Sequence, residues 1–288
     1  MTKRGKMYYI PVIGSLALAT ITLMEKLVLK TRKIKIETIH VYGFLSSVLV
    51  MFPIIYFFWN VNQSALELKN VLIFSMVIIA SIVANLLAFY SLKWERITNI
   101  EPARMLEPLF VIILAILFSF FSVLYEKNLN VVIPALIAGS ALVFSHIKRH
   151  YLEFNKYFLA AIAGSFLFAL ELVLSRLILD LYSPLSFYFL RCSAIFLISF
   201  VIFRPSLKNV KTKVKKEIFL IGFLWVVFRL ALYYGYINLG IITTTLIILL
   251  APIFIYLFAW KFLKEKLDWK NITAAIIILG CVAYAVLS

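Results

Sequence analysis

The chain alternates long apolar runs with short polar connectors along its whole length. A transmembrane α-helix needs about 20 consecutive apolar residues, and most of these runs are about that long. The pattern therefore predicts ten membrane-spanning helices. The predicted spans are Tyr8 to Val28, Ile39 to Trp59, Val71 to Leu92, Ile97 to Phe121, Val131 to Phe144, Tyr157 to Ile178, Pro184 to Phe203, Ile218 to Leu239, Ile241 to Phe262 and Ile272 to Leu287.

Two spans, the first and the sixth, carry the same short pattern. Gly14-Ser15 lies in the first and Gly164-Ser165 in the sixth, and a cation follows each pair at the same distance, Lys26 and Arg176. Internal repeats of this kind are typical of duplicated membrane domains. We infer that the second half of the chain is a diverged copy of the first.

A second pair of matching patterns supports the duplication. Glu107-Pro108 and Ala251-Pro252 each precede a long apolar stretch. A Glu-Lys pair follows each stretch, Glu126-Lys127 in the first half and Glu265-Lys266 in the second, and one more apolar span comes after it. The repeat divides the chain into residues 1–146, a linker over 147–156, and residues 157–288.

Five spans in each half predict how the halves are related. An odd number of crossings makes the second copy enter the membrane from the opposite side, so a pseudo-twofold axis lies in the membrane plane. The expected fold is an all-α polytopic membrane protein with ten transmembrane helices, arranged as two inverted five-helix repeats. Secondary transporters use this architecture to build a substrate site between the repeats.

Composition places the chain in a membrane. Of its 288 residues, 64% are hydrophobic and only 15% are charged, and the mean hydropathy is +1.02. A soluble domain of this length has too little interior to bury so much apolar surface. The lipid bilayer is the expected surroundings, and we expect a multi-pass protein of the cell membrane.

The formal charge of +16 comes mainly from Lys and Arg in the connectors between the spans. Lys and Arg concentrate after the odd-numbered spans, for example over 30–35 and 208–216, and form no continuous basic face of the kind that binds nucleic acid. Connectors rich in Lys and Arg remain on the cytoplasmic side. Both termini are therefore expected outside the cytoplasm, although the basic N-terminal tail, with Lys3, Arg4 and Lys6, favours the opposite orientation.

These features together resemble the EamA-type domain of the drug/metabolite transporter superfamily. The second half carries the pattern most completely, whereas the first half has Phe44 where the second has an arginine. The resemblance implies a ten-helix carrier that moves small organic solutes by alternating access. The matching positions of the second half are Arg176, Pro184, Arg191, Tyr234, Ala251-Pro252, Glu265-Lys266 and Gly280.

Charged side chains inside the spans are the candidate functional groups. Placing one against hydrocarbon costs several kcal/mol, so such residues pair with one another or line a cavity. Tyrosines near the charged positions are added because a buried hydroxyl needs a hydrogen-bond partner. The predicted substrate-binding residues are Glu25, Tyr90, Glu107, Glu171, Arg191, Arg229 and Tyr234, with Arg229 as the strongest single candidate.

The fourth span suggests what the cavity binds. Glu101, Arg104 and Glu107 follow one another at helical spacing, which leaves one negative charge that can attract an ammonium group or carry a proton. Aligning the two Pro-containing pairs sets the neutral Asn85 against Arg229, so equivalent positions of the two halves differ in charge. Together with the surplus carboxylate of the fourth span, this predicts a cavity that is acidic on the side of the first half and basic on the side of the second. An amino-acid-like zwitterion or an organic anion fits this arrangement, with proton-coupled efflux as one mode of transport.

The competing class is a membrane-embedded enzyme acting on a lipid-linked or amphiphilic substrate. Such enzymes need several carboxylates around a metal or a phosphate site, and the chain has only two aspartates, Asp180 and Asp268. Three histidines look like residues of connectors or helix ends, His40, His146 and His150. We therefore expect a non-enzymatic protein with no metal and no cofactor. Ten helices can complete a bundle alone, and a homodimer remains open.

Overall fold

A computed structural model of the chain describes residues 8–31, 34–94, 103–125, 128–146, 155–206, 210–255, 257 and 269–287. Within these residues the fold is all-helical, with ten α-helices in chain order. They are α1 (Tyr9–Thr31), α2 (Ile36–Phe58), α3 (Leu68–Trp94), α4 (Leu106–Ser119), α5 (Leu129–His146), α6 (Lys156–Ile178), α7 (Pro184–Phe203), α8 (Thr212–Asn238), α9 (Ile241–Ile248) and α10 (Trp269–Leu287).

Length and composition allow α2, α3, α6, α7 and α8 to cross a membrane. The other five helices have shorter apolar stretches of 10–17 residues among the described residues. That of α1 runs over Tyr9–Glu25, and that of α9 continues past a brief irregularity to Ile255. The prediction of an all-α protein with ten helices is confirmed. The predicted linker 147–156 lies largely outside the described residues, so the division into 1–146 and 157–288 stays a prediction.

Local sequence explains where several helices begin. The Asn155 side chain accepts hydrogen bonds from the N–H groups of Tyr157 and Phe158, which caps α6. Ser183 caps α7 by accepting from the N–H of Ser186, and proline occupies the first turn of that helix, where its missing N–H costs nothing. Gly240 precedes α9 with a φ of 91°, a conformation that disfavours other residues.

Helix packing follows the predicted repeat. In the bundle α3 packs on α6 and α1 packs on α8. An inverted repeat makes α1 equivalent to α6 and α3 equivalent to α8, so these two contacts are the same contact made twice. Two more large contacts join equivalent helices of the two halves, α2 with α7 and α5 with α10, and further contacts join α2 with α8 and α4 with α6.

The two matching glycines lie at the centre of the repeated contact. A Cβ built on Gly14 in α1 would lie 3.0 Å from the Cβ of Ala231 in α8. A Cβ built on Gly164 in α6 would lie 3.4 Å from the Cβ of Leu87 in α3. The alignment of the two Pro-containing pairs makes Leu87 and Ala231 equivalent. Small residues therefore allow close helix approach at equivalent places in both halves.

One end of the bundle is closed by the connectors that follow α2 and α6. The N–H of Asn62 donates to the carbonyl of Leu181 at 2.8 Å, and the N–H of Ser183 donates to the carbonyl of Asn60 at 2.9 Å. These bonds cross from the first half to the second. They tie the halves together at the end opposite the α1–α2 and α7–α8 connectors.

Candidate functional site

A cavity lies between the two halves. Helices α1, α2, α3, α6, α7 and α8 contribute to it. Its residues on α2 come from the N-terminal half of that helix, and those on α8 run from Ile218 to Arg229, so the cavity extends away from the closed end. The polar lining residues are Glu25, His40, Ser47, Asn85, Arg191 and Arg229.

Glu171 is a buried carboxylate that contacts two arginines of the cavity lining, Arg191 and Arg229. It lies in α6 and is fully buried. Its Oε2 is 3.1 Å from Nη2 of Arg191 and 3.3 Å from Nη1 of Arg229, and its Oε1 accepts from the Ser175 hydroxyl at 3.2 Å. One carboxylate thus holds two guanidinium groups from two other helices. This is the pairing that makes charges tolerable inside a membrane protein.

Arg191 uses its hydrogen-bonding capacity within the protein. Its Nε and Nη2 donate to the Ser81 hydroxyl at 3.1 and 2.9 Å, and its Nη1 donates to the Tyr233 hydroxyl at 2.9 Å. The Tyr233 hydroxyl lies 3.5 Å from Oε1 of Glu171. Ser81 belongs to α3 in the first half, so Arg191 links the two halves. Its guanidinium thus has hydrogen-bond or ion-pair partners in α3, α6 and α8.

Arg229 is less completely paired. Its Nη1 is buried and makes no hydrogen bond to any described residue, and the 3.3 Å ion pair with Glu171 is its closest charged contact among the described residues. Its guanidinium carbon lies 5.6 Å from the ring of Trp225 and 5.8 Å from that of Phe228. Arginine offers five N–H donors, so this side chain retains capacity for another acceptor.

Glu25 approaches the same cavity from α1. Its Oε1 accepts a hydrogen bond of 3.0 Å from Nε1 of Trp225 in α8. Trp225 lies one helical turn from Arg229, and both residues line the cavity with Glu25. The indole ring therefore separates a carboxylate from a guanidinium. The cavity presents both signs of charge to a bound molecule.

Glu107 lies in the first turn of α4 and is half-buried. It is close enough to interact electrostatically with Arg229, Arg104 and Glu171, and Arg104 also interacts with Glu25. The acidic residues of α1 and α4 therefore belong to one electrostatic network with the centre on α6, α7 and α8. Glu101, the remaining charge of the predicted series in the fourth span, lies outside the described residues.

The two predicted tyrosines lie away from the cavity lining. Tyr90 packs its ring against Tyr157, with centroids 5.3 Å apart, and Tyr234 is half-buried with its carbonyl accepting from Asn238. The neighbouring Tyr233 contacts the charged centre instead. It lies four residues after Arg229, on the same helical face, whereas Tyr234 is turned by about 100°. The four-residue spacing from Arg229 is the sequence signal that singles out Tyr233 rather than Tyr234.

Sequence reasoning missed the contribution of α2. His40 was expected at a helix end, yet α2 begins at Ile36 and the His40 side chain is buried at 1% exposure, where it lines the cavity. Ser47 lines the cavity too, and its hydroxyl contacts the carbonyl of Gly222 in α8 at 3.3 Å. Neither residue carries a charge, so a search based on the cost of charges passes over both.

Other predicted positions fall outside the cavity or the described residues. Arg176 in the last turn of α6 pairs at 2.7 Å with Asp180, which lies just after that helix, and neither residue belongs to the cavity lining. The Lys26 side chain and the pairs Glu126-Lys127 and Glu265-Lys266 lie outside the described part of the structure. No group of three or more His, Cys, Asp or Glu side chains able to hold a metal occurs among the described residues.

Comparison with known families identifies the second half. Residues 155–287 match the profile of the EamA-like transporter family. These residues form an EamA-like domain. The predicted resemblance is confirmed over this range, and the EamA domain implies a secondary transporter, a multi-pass membrane protein and a non-enzymatic function. A transporter has a small-molecule substrate and acts in a membrane, as the sequence predicts.

A solved crystal structure supports the fold over the whole length. It matches with a TM-score of 0.70 and covers 98% of this chain and 96% of its own chain. Sequence identity is 16%, so this similarity speaks for the fold alone. None of the curated proteins compared with this EamA-domain chain matches it.

Proposed function

We propose that the protein exports a small amino-acid-like zwitterion from the cytoplasm by alternating access. The observation that carries this proposal is Arg229, which lines the cavity and is held by one ion pair among the described residues, 3.3 Å from its Nη1 to Glu171. A substrate carboxylate accepts from the N–H groups of the guanidinium that this ion pair does not use. Charge-assisted hydrogen bonds of this kind are roughly twice as strong as neutral ones, and arginine matches a carboxylate with two donors.

Glu25 supports the ammonium end of the substrate. It lines the same cavity, on the far side of Trp225 from Arg229. A carboxylate held by one indole N–H keeps acceptor capacity for a second donor. A zwitterion can satisfy Arg229 and Glu25 together, whereas a simple anion satisfies only Arg229.

The remaining walls favour an apolar side group. Aromatic rings line the cavity between the charged centre and its mouth, and a ligand pocket of this composition gains most of its affinity from apolar contact. The aromatic lining residues are Phe44, Phe89, Phe168, Tyr188 and Trp225. A substrate with a large hydrophobic or aromatic side chain is therefore favoured over a small polar amino acid.

Orientation supports export. The lining residues on α1, α2, α3 and α8 lie mostly in the half of each helix nearer the end of the bundle that carries the α1–α2 and α7–α8 connectors, which are rich in Lys and Arg. The positive-inside rule assigns that end to the cytoplasm and both termini to the non-cytoplasmic side of the membrane. A cavity open to the cytoplasm and closed on the other side is ready to load solute from within.

Proton coupling is assigned to Glu107. It lies half-buried in α4 of the first half and interacts electrostatically with Arg229 of the second half. A carboxyl group in that place can exchange a proton when solute binds to Arg229. Glu107→Gln should then flatten the dependence of transport on an imposed pH gradient while purified yield remains near normal.

The test is counterflow in proteoliposomes. Vesicles preloaded with unlabelled phenylalanine should accumulate labelled phenylalanine transiently and saturably. Its amide, which lacks the carboxylate, and 3-phenylpropionate, which lacks the ammonium group, should compete at least tenfold more weakly. Equal competition by 3-phenylpropionate would favour the organic anion, and uptake without saturation or counterflow would contradict a carrier.

A further inference from the structure

A second polar group in the cavity is not used by the charged centre. His40 of α2 lines the cavity and is 1% exposed. Its Nε2 lies 3.0 Å from the hydroxyl of Ser199 in α7, so one ring nitrogen is fixed by the protein. The direction of that hydrogen bond depends on the ring tautomer.

The other ring nitrogen is free. Nδ1 of His40 is buried and has no hydrogen-bond partner among the described residues. The ring is surrounded edge-on by Phe44, Phe89 and Phe203, with centroids 5.1, 6.5 and 6.5 Å away, and these rings offer no conventional hydrogen bond. An unpaired buried polar atom costs free energy, and its presence beside a ligand cavity is a functional signal.

We propose that Nδ1 of His40 is a second recognition point that binds a hydroxyl or ring N–H on the substrate side chain. This inference rests on the proposed function, because it assumes that Arg229 holds the substrate carboxylate at the other end. Ser199 engages Nε2, so Nδ1 is the ring nitrogen left without a partner among the described residues. A hydroxyl suits either tautomer because it both donates and accepts.

The two recognition points lie at different depths in the bundle. Ser199 follows Arg191 by two turns of α7, so His40 lies nearer the α7–α8 connector than the charged centre does. A para-hydroxylated aromatic amino acid carries a carboxylate at one end and a hydroxyl at the other, so it tests both points.

Four ligands separate the two ends of the substrate. Phenylalanine, tyrosine, 3-phenylpropionate and 3-(4-hydroxyphenyl)propionate differ only in the ammonium group and the para-hydroxyl. The proposed function predicts that the two amino acids compete better than the two acids. The His40 proposal predicts that each hydroxylated ligand competes about three- to tenfold better than its partner, the value of one hydrogen bond.

Two variants of His40 distinguish recognition from packing. In His40→Asn the amide lies near the position of Nδ1, whereas in His40→Gln it lies near that of Nε2. Substrate recognition by Nδ1 predicts that Asn keeps the preference for hydroxylated ligands and Gln loses it. A purely structural contact with Ser199 predicts the reverse, and Ser199→Ala then serves as the matched control that disturbs only this contact.

The outcomes are distinct. Loss of the hydroxyl preference in His40→Gln and His40→Phe, with the ammonium preference unchanged, supports the proposal. A wild-type protein that ignores the hydroxyl overturns the His40 proposal even when amino acids are transported. A protein that prefers hydroxylated ligands but ignores the ammonium group retains the His40 site and overturns the zwitterion. Failure of all four ligands to compete overturns both.

Discussion

The two halves of the molecule share their helix packing but differ in the chemistry at the centre. Gly14 and Gly164 make equivalent helix contacts, which shows how well the scaffold is repeated. The residues that carry charge in the second half have apolar or neutral counterparts in the first. The corresponding pairs are Ile21 and Glu171, Phe44 and Arg191, and Asn85 and Arg229.

This difference gives the cavity two unlike walls. Phe44 and Asn85 line it from the first half, and Arg191 and Arg229 line it from the second. A repeated charged centre would place like charges near each other across the pseudo-twofold axis, at a high electrostatic cost in a medium of low dielectric constant. The cavity instead has a carboxylate, Glu25, on the first-half wall and guanidinium groups on the second-half wall, an arrangement that suits a solute bound in a single orientation.

Replacing Glu171 by isoleucine, the residue at the equivalent position of the first half, should have the largest effect on stability and transport. Glu171→Ile leaves two buried guanidinium groups without their shared carboxylate. Removing one partner of a buried ion pair costs about 3–5 kcal/mol, so we expect a clear loss of thermal stability in detergent and no transport. Differential scanning fluorimetry and counterflow measure the two effects.

A triple variant provides the control. Replacing Glu171, Arg191 and Arg229 together by Ile, Phe and Asn removes the charges as a set. Replacement of a whole buried charge cluster by apolar residues is often neutral for stability, so the triple variant should melt closer to the parent than Glu171→Ile does and still fail to transport. Equal melting temperatures for parent and Glu171→Ile would show that Glu171 is not the partner of both arginines.

The closed end can be locked where the two halves meet. Val61 and Tyr182 form an antiparallel bridge, and the flanking hydrogen bonds make them a non-hydrogen-bonded pair, with Cα atoms about 4.5 Å apart. That spacing suits a disulfide. Val61→Cys with Tyr182→Cys, in a Cys281→Ser background, should stop transport when oxidised and recover when reduced.

The single variants Val61→Cys and Tyr182→Cys control for the loss of each side chain, because Tyr182 stacks on Phe74 at 6.0 Å. Both should transport under oxidising conditions. Full transport by the crosslinked double variant would mean that the two halves do not separate at this end during the cycle.

Arg229 is expected to set substrate affinity, and its replacement leaves Glu171 paired with Arg191. Arg229→Gln should weaken competition by carboxylate ligands about tenfold or more, the loss of roughly 1.5–3 kcal/mol for a charge-assisted hydrogen bond. Arg176→Gln is the matched control, since Arg176 is also buried but pairs with Asp180 outside the cavity. An equal loss of affinity in both variants would show that charge removal acts on the whole protein.

Most of the fold was predictable because the bilayer restricts it strongly. Apolar length sets each span, and α7 spans the residues predicted from the sequence, Pro184 to Phe203. Other helices extend into polar flanks: α8 begins at Thr212, six residues before the apolar run that starts at Ile218. Helical hydrogen bonding continues into the interface, where hydropathy no longer marks the helix.

The candidate site was predictable only where charge is involved. Glu171, Arg191 and Arg229 are found from the cost of burying charge, and the structure brings them together around one carboxylate. Uncharged partners such as Ser81 and His40 carry no comparable signal, since serine is common in membrane helices and packs as a small residue. Their contacts depend on the packing of α2 and α3 against the second half, which the periodicity of a single helix does not encode.

The smallest effect tests the shared scaffold itself. A Cβ on Gly164 would meet its neighbours at 3.4 Å, close to ordinary contact, whereas a Cβ on Gly14 would lie 3.0 Å from the Cβ of Ala231. Gly-to-Ala changes inside a helix gain up to about 1 kcal/mol from reduced backbone entropy when the site has room. We therefore expect Gly164→Ala to be neutral or slightly stabilising, and Gly14→Ala to lower the melting temperature because overpacking costs about 1–3 kcal/mol. Adding Ala231→Gly to Gly14→Ala should recover part of that loss. Equal melting temperatures for the two single variants would mean that the α1–α8 contact is no tighter than the α3–α6 contact.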